Sequence, residues 1–432
     1  MLAISRQTTI PTMSSTVAPA GVLSFEQASA VVADYGRKLP APEIESAALL
    51  ASLGRVLASP VLADRDFPPF PRSTRDGYAV RSADLANLPA KLKIIGQIKA
   101  GGDFTKTVAP GEAVEIMTGA AVPTGTDAVV MVEHTVRTLA DGGDEDDFVQ
   151  VERSVSAGEN VVPAGAEAHA GDLLLPVGMK ITSAQIAMAA AVGAVNLSVF
   201  RQPNVAILAT GDELVDVSQS PGPHQIRNSN TYSLAAQVTA NSGIAWTLPV
   251  APDEERKLST LIQAGIQGAD LLVLSGGVSM GKFDLVEKVL SELNAEFLFT
   301  GALIQPGKPV VFGDITRGDK KVPFFGLPGN PVSVMVTFDL FVRPLLQSLS
   351  GCTPTRLPFF NARMRKSLKT KTGLTRFLPA LVTGSLHHPE VEVIPWQGSG
   401  DLLASARANC YLVVPPDRET IAEGETVSVL VR

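Results

Sequence analysis

ADLLVLSGGVSMGKFDLVEKVLSEL, residues 269–293, runs from a short apolar stretch through a polar turn rich in glycine and serine into a helical segment. The same order recurs on both sides. NVAILATG (204–211), KPVVFG (308–313) and KVPFFG (321–326) read as short apolar strands, while NTYSLAAQVTANSG (230–243) and DEERKLSTLIQAG (253–265) read as helices. Such alternation predicts a three-layer α/β domain with a mostly parallel sheet over about residues 201–348. Its polar loops then fall at strand ends, where open sheets form ligand crevices. VSVMVTFDLFVRPLL (332–346) closes the domain as a long apolar helix that Pro344 ends or bends.

Outward from this centre the texture changes. Residues 1–23 read as a loose tail, with no apolar stretch between a basic region and a cleavage site, and a cytoplasmic location is expected. Residues 24–200 read as a discontinuous N-terminal region. Ser24 and Gln27 have capping-box spacing for a helix with Phe25, Ala28, Val31 and Val32 on one side. A second short helix is expected over about 45–53, and ITSAQIAMAAAVGAV (181–195) could pack as a helix against the first. Between them, four prolines from Pro60 to Pro71 enforce rigid loop, and a β-rich insertion is expected at about 65–151, with DGGDEDD (141–147) as an exposed hairpin tip. After SGCTPT, residues 355–432 read as a small C-terminal β domain.

The chain has 432 residues, enough for about three domains at roughly 150 residues each. Apolar residues at 45% against charged residues at 18% supply cores and exclude a chain disordered throughout. The net charge of −7 gives no global attraction to nucleic acid or anionic membrane. Two cysteines, Cys352 and Cys410, are too few for a disulfide framework or a cysteine-rich metal site, and the five histidines lack ligand spacing. The most tempting membrane run, Ile186–Val195, is too short to cross a bilayer.

The strand-end loops concentrate the chemistry. Gly211 and Glu213 follow the strand NVAILAT, displaying amides and a carboxylate suited to phosphate oxygens and Mg²⁺, or to turn formation alone. Asp270 precedes LLVLSGG, and Ser275, Gly276, Gly277 and Ser279 lead to Lys282 and Asp284, a composition that lets backbone amides approach an anion. It has neither Walker nor dinucleotide-fingerprint spacing. Pro306, Gly307 and Lys308 in PGKP, with Gly329, Asn330 and Pro331 in GLPGNP, make two further rigid loops, with Asn330 able to cap the next helix. Either loop alone could be sharp turn chemistry; four on one domain favour a common pocket. Arg75 and Asp76 lie in a separate turn, RSTRDGYAVR, where the bases could take an oxyanion and the acid a metal.

PPFPRSTRDGYAVR (68–81), IMTGAAVPTGTDAVVMVE (116–133), ATGDEL (209–214), SGGVSMGKFD (275–284), PGKPVVFG (306–313) and GLPGNPVSVMVTF (326–338), in this order, resemble the molybdopterin molybdenumtransferase family, which is similar to the C-terminal part of gephyrin. The resemblance implies an elongated multidomain subunit that transfers molybdate to adenylylated molybdopterin with release of AMP, using Mg²⁺. It carries over catalytic roles for Asp76, Thr118, Glu213, Asp270 and Asp284, with Glu213, Asp270 and Asp284 as metal ligands. Binding roles pass to Arg75, Lys282, Lys308, Pro328, Pro331, Ser333 and the loop residues above. It implies a homodimer with composite active sites, and contact with molybdopterin adenylyltransferase and cofactor-accepting proteins. Gly301 and Gln305 stand where the family often has basic residues, Arg75 where it often has Met, and Val162 near a usual Arg. A non-catalytic molybdopterin-binding scaffold, an adenylyltransferase, or a preference for tungstate are the alternatives.

Overall fold

The computed structural model describes residues 21–138, 147–277, 285–353, 357–385 and 387–432. The central six-stranded sheet has the order Ile244–Thr247, Asn204–Ala209, Leu271–Ser275, Lys320–Leu327, Val311–Arg317, Glu296–Phe299. The first four strands are parallel, and Val311–Arg317 runs antiparallel to both its neighbours. Strand side chains alternate between two cores. Val205, Ile207, Leu271 and Val273 join Leu234, Val238, Phe338 and Phe341 on one face. Ala206, Leu208, Leu272 and Leu274 join Leu258, Ile262, Val286 and Val289 on the other. Burial on both faces is why these strands read as continuous apolar runs, each large side chain contributing about 1.5–3 kcal/mol.

The helix Phe25–Arg37 forms with its capping box intact: the Gln27 amide donates to Ser24 Oγ at 3.2 Å, and the Ser24 amide to Gln27 Oε1 at 2.9 Å. It does not pack against Ser183–Ala191 as expected. The Phe25 ring instead lies 6.2 Å from Phe341 of the central domain and 5.1 Å from Phe377 of the C-terminal domain, so the apolar stripe is buried where aromatic surface from both is on offer. Val22–Leu23 also pairs with Gly301–Ala302. The expected helix over 45–53 is a strand, Ile44–Ala48, followed by a short 3₁₀ turn at Leu50–Ser52. Its five residues pair antiparallel with Asn196–Phe200, and that ladder outweighs the helical preference of so short a segment. Ser183–Ala191 packs beneath these strands, in a core containing Leu57, Leu175 and Val199.

The N-terminal insertion carries its own six-stranded sheet, spanning Gly77–Val80 to Phe148–Val151 and sharing no strand with the central one. Its Thr135–Thr138 and Phe148–Val151 strands pair antiparallel; the hairpin tip expected between them lies outside the described residues except for Asp147, which accepts from Arg137 at 2.6 Å. At the other end Thr375–Ser385, His388–Val393, Phe359–Met364, Thr426–Val431 and Cys410–Val414 pair in turn, and the last returns to the first, closing a barrel. The expected linker SGCTPT falls partly on residues 354–356, also outside the description.

Pro331–Leu349 is one continuous helical run whose middle, Phe338–Val342, is a π-turn. Pro344 therefore does not end it: the widened turn accommodates the missing amide. This helix, not Ile186–Val195, is long and apolar enough to cross a membrane, yet it is 72% buried inside the protein, as a core helix is.

Candidate functional site

At the carboxyl ends of the central strands lies a cavity of about 1090 Å³. Its walls come from the loop after each parallel strand: Gly211 and Glu213, Asp253, Ser275 to Gly277, and Gly329 to Pro331. Gly276 and Gly277 have φ of +93° and +64°, a region open to glycine and not to side chains that would cover their amides. The Ser275 hydroxyl accepts from Asn230 Nδ2 at 2.9 Å, and the same nitrogen donates to the Gly329 carbonyl at 2.7 Å, tying two of the loops to the start of the helix Asn230–Ala240. Asn330 occupies the cap position of the next helix, but its side chain makes no capping bond; its carbonyl takes the Val334 amide at 3.0 Å and Pro331 starts the helix. Its carboxamide thus remains at the cavity wall.

Asp253 was missed by the sequence reading. The chain after Ile244–Thr247 continues beside the neighbouring strand, where Thr210 and Ala251 form a parallel bridge, and so delivers Asp253 to the cavity. Its Oδ1 accepts from Thr210 Oγ1 at 3.0 Å, while its amide donates to Asp212 Oδ1 at 3.1 Å. The signal was available: parallel strands send whatever follows them to one end of the sheet.

The same rule corrects Asp270. It precedes Leu271–Ser275 and therefore sits at the opposite end, where its carboxylate takes both Arg201 Nη groups at 2.9 and 3.1 Å and the Asn204 amide at 2.8 Å. It does not line the cavity. The ion pair and the backbone bond take three of the carboxylate's roughly four acceptor sites. Ser279, Lys282 and Asp284 lie outside the described residues.

Pro306, Gly307, Lys308, Pro328 and Ser333 also fall outside the lining. A Cβ on Gly307 would lie 2.4 Å from Thr337 Cγ2, so glycine here lets the PGKP loop press on the helix. The Ser333 carbonyl accepts from Thr337 at 2.7 Å, and that of Lys308 from the Ala302 amide at 3.0 Å. Gly307 thus lets its loop brace the helix whose first residue, Pro331, lines the cavity. Gly301, noted for its missing positive charge, faces Val22, whose Cγ2 would be 3.0 Å from an added Cβ.

Asp76 lines a second, smaller cavity of about 230 Å³ in the N-terminal sheet, with Tyr78, Glu115, Met117 and Val132. The structure does bring Thr118 to it: amide and hydroxyl donate to Asp76 Oδ1 at 2.7 and 3.0 Å. These bonds, the amide's first, hold the Asp76 carboxyl below its ordinary range. Arg75 is exposed and outside the lining, its backbone amide and carbonyl both engaged by the Ser73 hydroxyl. The two cavities share no residue.

The large cavity also takes Gly400 and Leu402 from the C-terminal domain, docked by the Val332 amide donating to the Ser399 carbonyl at 3.0 Å. Fold and crevice together define a multidomain protein built on a molybdopterin-binding type of α/β domain: residues 206–348 match the family described as a probable molybdopterin binding domain. Residues 23–193 match the MoeA N-terminal region (domain I and II) and residues 361–431 the MoeA C-terminal region (domain IV). Among similar sequences, the molybdopterin molybdenumtransferase of Nostoc sp. is 35% identical over 391 residues, covering 88% of this chain and 87% of that one. That of Bacillus subtilis is 34% identical, with 90% of each covered. A solved molybdopterin biosynthesis MoeA protein from Pyrococcus horikoshii covers 95% of this chain and all of its own, at 26% identity and a TM-score of 0.75. The chain belongs to the molybdopterin molybdenumtransferase (MoeA) family, an enzyme family of molybdenum cofactor biosynthesis.

Proposed function

We propose that this chain transfers molybdate to adenylylated molybdopterin and releases AMP. The observation that carries the reading is the placement of Glu213 and Asp253 in the same strand-end crevice as the Gly276–Gly277 turn. The turn offers close main-chain approach to phosphate, and the Ser275 hydroxyl, accepting from Asn230, has its proton left to donate. Hard carboxylate oxygens fit Mg²⁺, which is commonly held by one or two carboxylates plus substrate phosphates. Glu213 and Asp253 would hold it, and the ion would supply neutralisation of phosphate charge there. Among the described residues no group of three potential ligands is assembled.

The separation of the Asp76 cavity from the crevice supports a homodimer in which one subunit presents Asp76 and Thr118 to the crevice of the other. The same reading includes a cytoplasmic location, contact with molybdopterin adenylyltransferase and with cofactor-accepting proteins, and neither nucleic acid nor membrane as partner.

Incubation with adenylylated molybdopterin, molybdate and Mg²⁺ tests the reaction. AMP and active cofactor should appear together. Binding of the substrate without AMP release would favour a scaffold, and formation of adenylylated molybdopterin from ATP would favour an adenylyltransferase.

A further inference from the structure

Among the described residues, three carboxylates line the large cavity, Glu213, Asp253 and Glu255, against two cations, Lys288 and Arg227. A tetrahedral oxyanion entering this lining meets repulsion unless a cation is free to receive it. Lys288 is not free: its ammonium lies 2.6 Å from Glu255, and that hydrogen bond raises its pKa.

Arg227 is placed differently. Its Nε donates to the Gln219 carbonyl at 3.0 Å, and no described residue takes its two Nη groups. A guanidinium tethered through Nε is oriented from behind and keeps the forked pair of donors for a second partner. The tether is local, because Gln219 and Arg227 belong to the same loop, which leaves and rejoins a two-stranded ladder: Leu214–Val215 pairs in parallel with Ile226–Arg227, and the Ile226 amide donates to the Glu213 carbonyl at 2.8 Å. One small element thus carries both a metal-suited carboxylate, Glu213, and an unspent fork, Arg227, to the same wall. No carboxylate among the described residues pairs with that fork, though Glu213 is two residues from its ladder partner Val215.

We propose that Arg227 is an oxyanion-binding residue of the crevice, its two Nη groups taking two oxygens of a phosphate or of molybdate; the proposal rests on the transferase reading given above.

The test is calorimetric titration of the full chain and of Arg227→Gln with AMP, with adenosine and with molybdate, beside molybdate-dependent rates. If the fork holds the adenylyl phosphate, Arg227→Gln binds AMP about tenfold more weakly while adenosine binding is unchanged. If it holds molybdate, the molybdate needed for half-maximal rate rises about tenfold and AMP affinity stays. Arg227→Lys should recover part of either loss, keeping charge without the fork. A folded Arg227→Gln chain with both AMP affinity and molybdate dependence within about twofold of the parent overturns the proposal. So does an equal loss of AMP and adenosine, which would mark a structural residue. A parent chain that binds neither AMP nor molybdate and releases no AMP overturns the transferase reading, and this inference falls with it.

Discussion

Asp76 shows how one side chain is prepared by its neighbours. Two donors from Thr118 favour its charged form, so Thr118→Val, which keeps the amide bond and removes the hydroxyl, should move the Asp76 pKa upward toward its ordinary value, read by NMR titration of the carboxyl carbon. The sign of the linkage follows. Because the folded pKa is depressed, the stability Asp76 contributes is fully present above its unfolded value and is lost as pH falls through the folded one. In the large cavity, Glu213→Gln and Asp253→Asn should each lower Mg²⁺-dependent AMP release by about ten- to a hundredfold while thermal stability moves by no more than about 0.5 kcal/mol. Asp270→Asn should do the reverse, lowering the melting temperature by opening the Arg201 pair while leaving AMP release near that of the parent. Glu213 was legible from its position after an apolar run. Asp270 was misplaced because its strand was read without direction, and Asp253 was passed over because the apolar stretch before it, residues 248–252, carries two prolines and does not read as a strand.

At the scale of elements, the decisive contacts are those that local preference does not contain. The segment Ile44–Ala48 has no strong strand signature and becomes one by pairing with residues some 150 positions away. Likewise the first helix carries its own start signal in Ser24 and Gln27, yet which surface buries its stripe depended on Phe341 and Phe377. The strand Val22–Leu23 explains Gly301 in the same terms: a side chain there would press on Val22 and on the Lys308 carbonyl, 3.3 Å from the added Cβ. Gly301→Ala should therefore destabilise by about 1–3 kcal/mol, and adding Val22→Ala should return part of that loss in a double-mutant cycle of denaturant midpoints. Additive effects would show that the two residues do not compete for the same space.

Across the whole molecule, the proposed homodimer would divide the work of the two separated cavities between subunits. A mixed dimer of one Asp76→Ala chain and one Glu213→Ala chain should hold one cavity pair with both defects and one with neither, recovering up to about half the parent activity that neither mutant homodimer shows. An isolated mixed dimer that stays inactive would favour assembly within one chain. The sequence by itself determined the central domain, because strands buried on both faces must be apolar throughout and the helices between them must keep one apolar side, patterns that are local and periodic. It determined the family as well, since loop motifs such as ATGDEL and GLPGNP are contiguous in the chain. Only the tertiary structure decided which end of the sheet each acid reaches, that Asp253 and not Asp270 joins Glu213, that the PGKP loop braces a helix, and that the barrel lends Gly400 and Leu402 to the cavity wall. Strand direction and the docking of one domain on another are set by contacts between residues far apart in the chain, and no local window of sequence contains them.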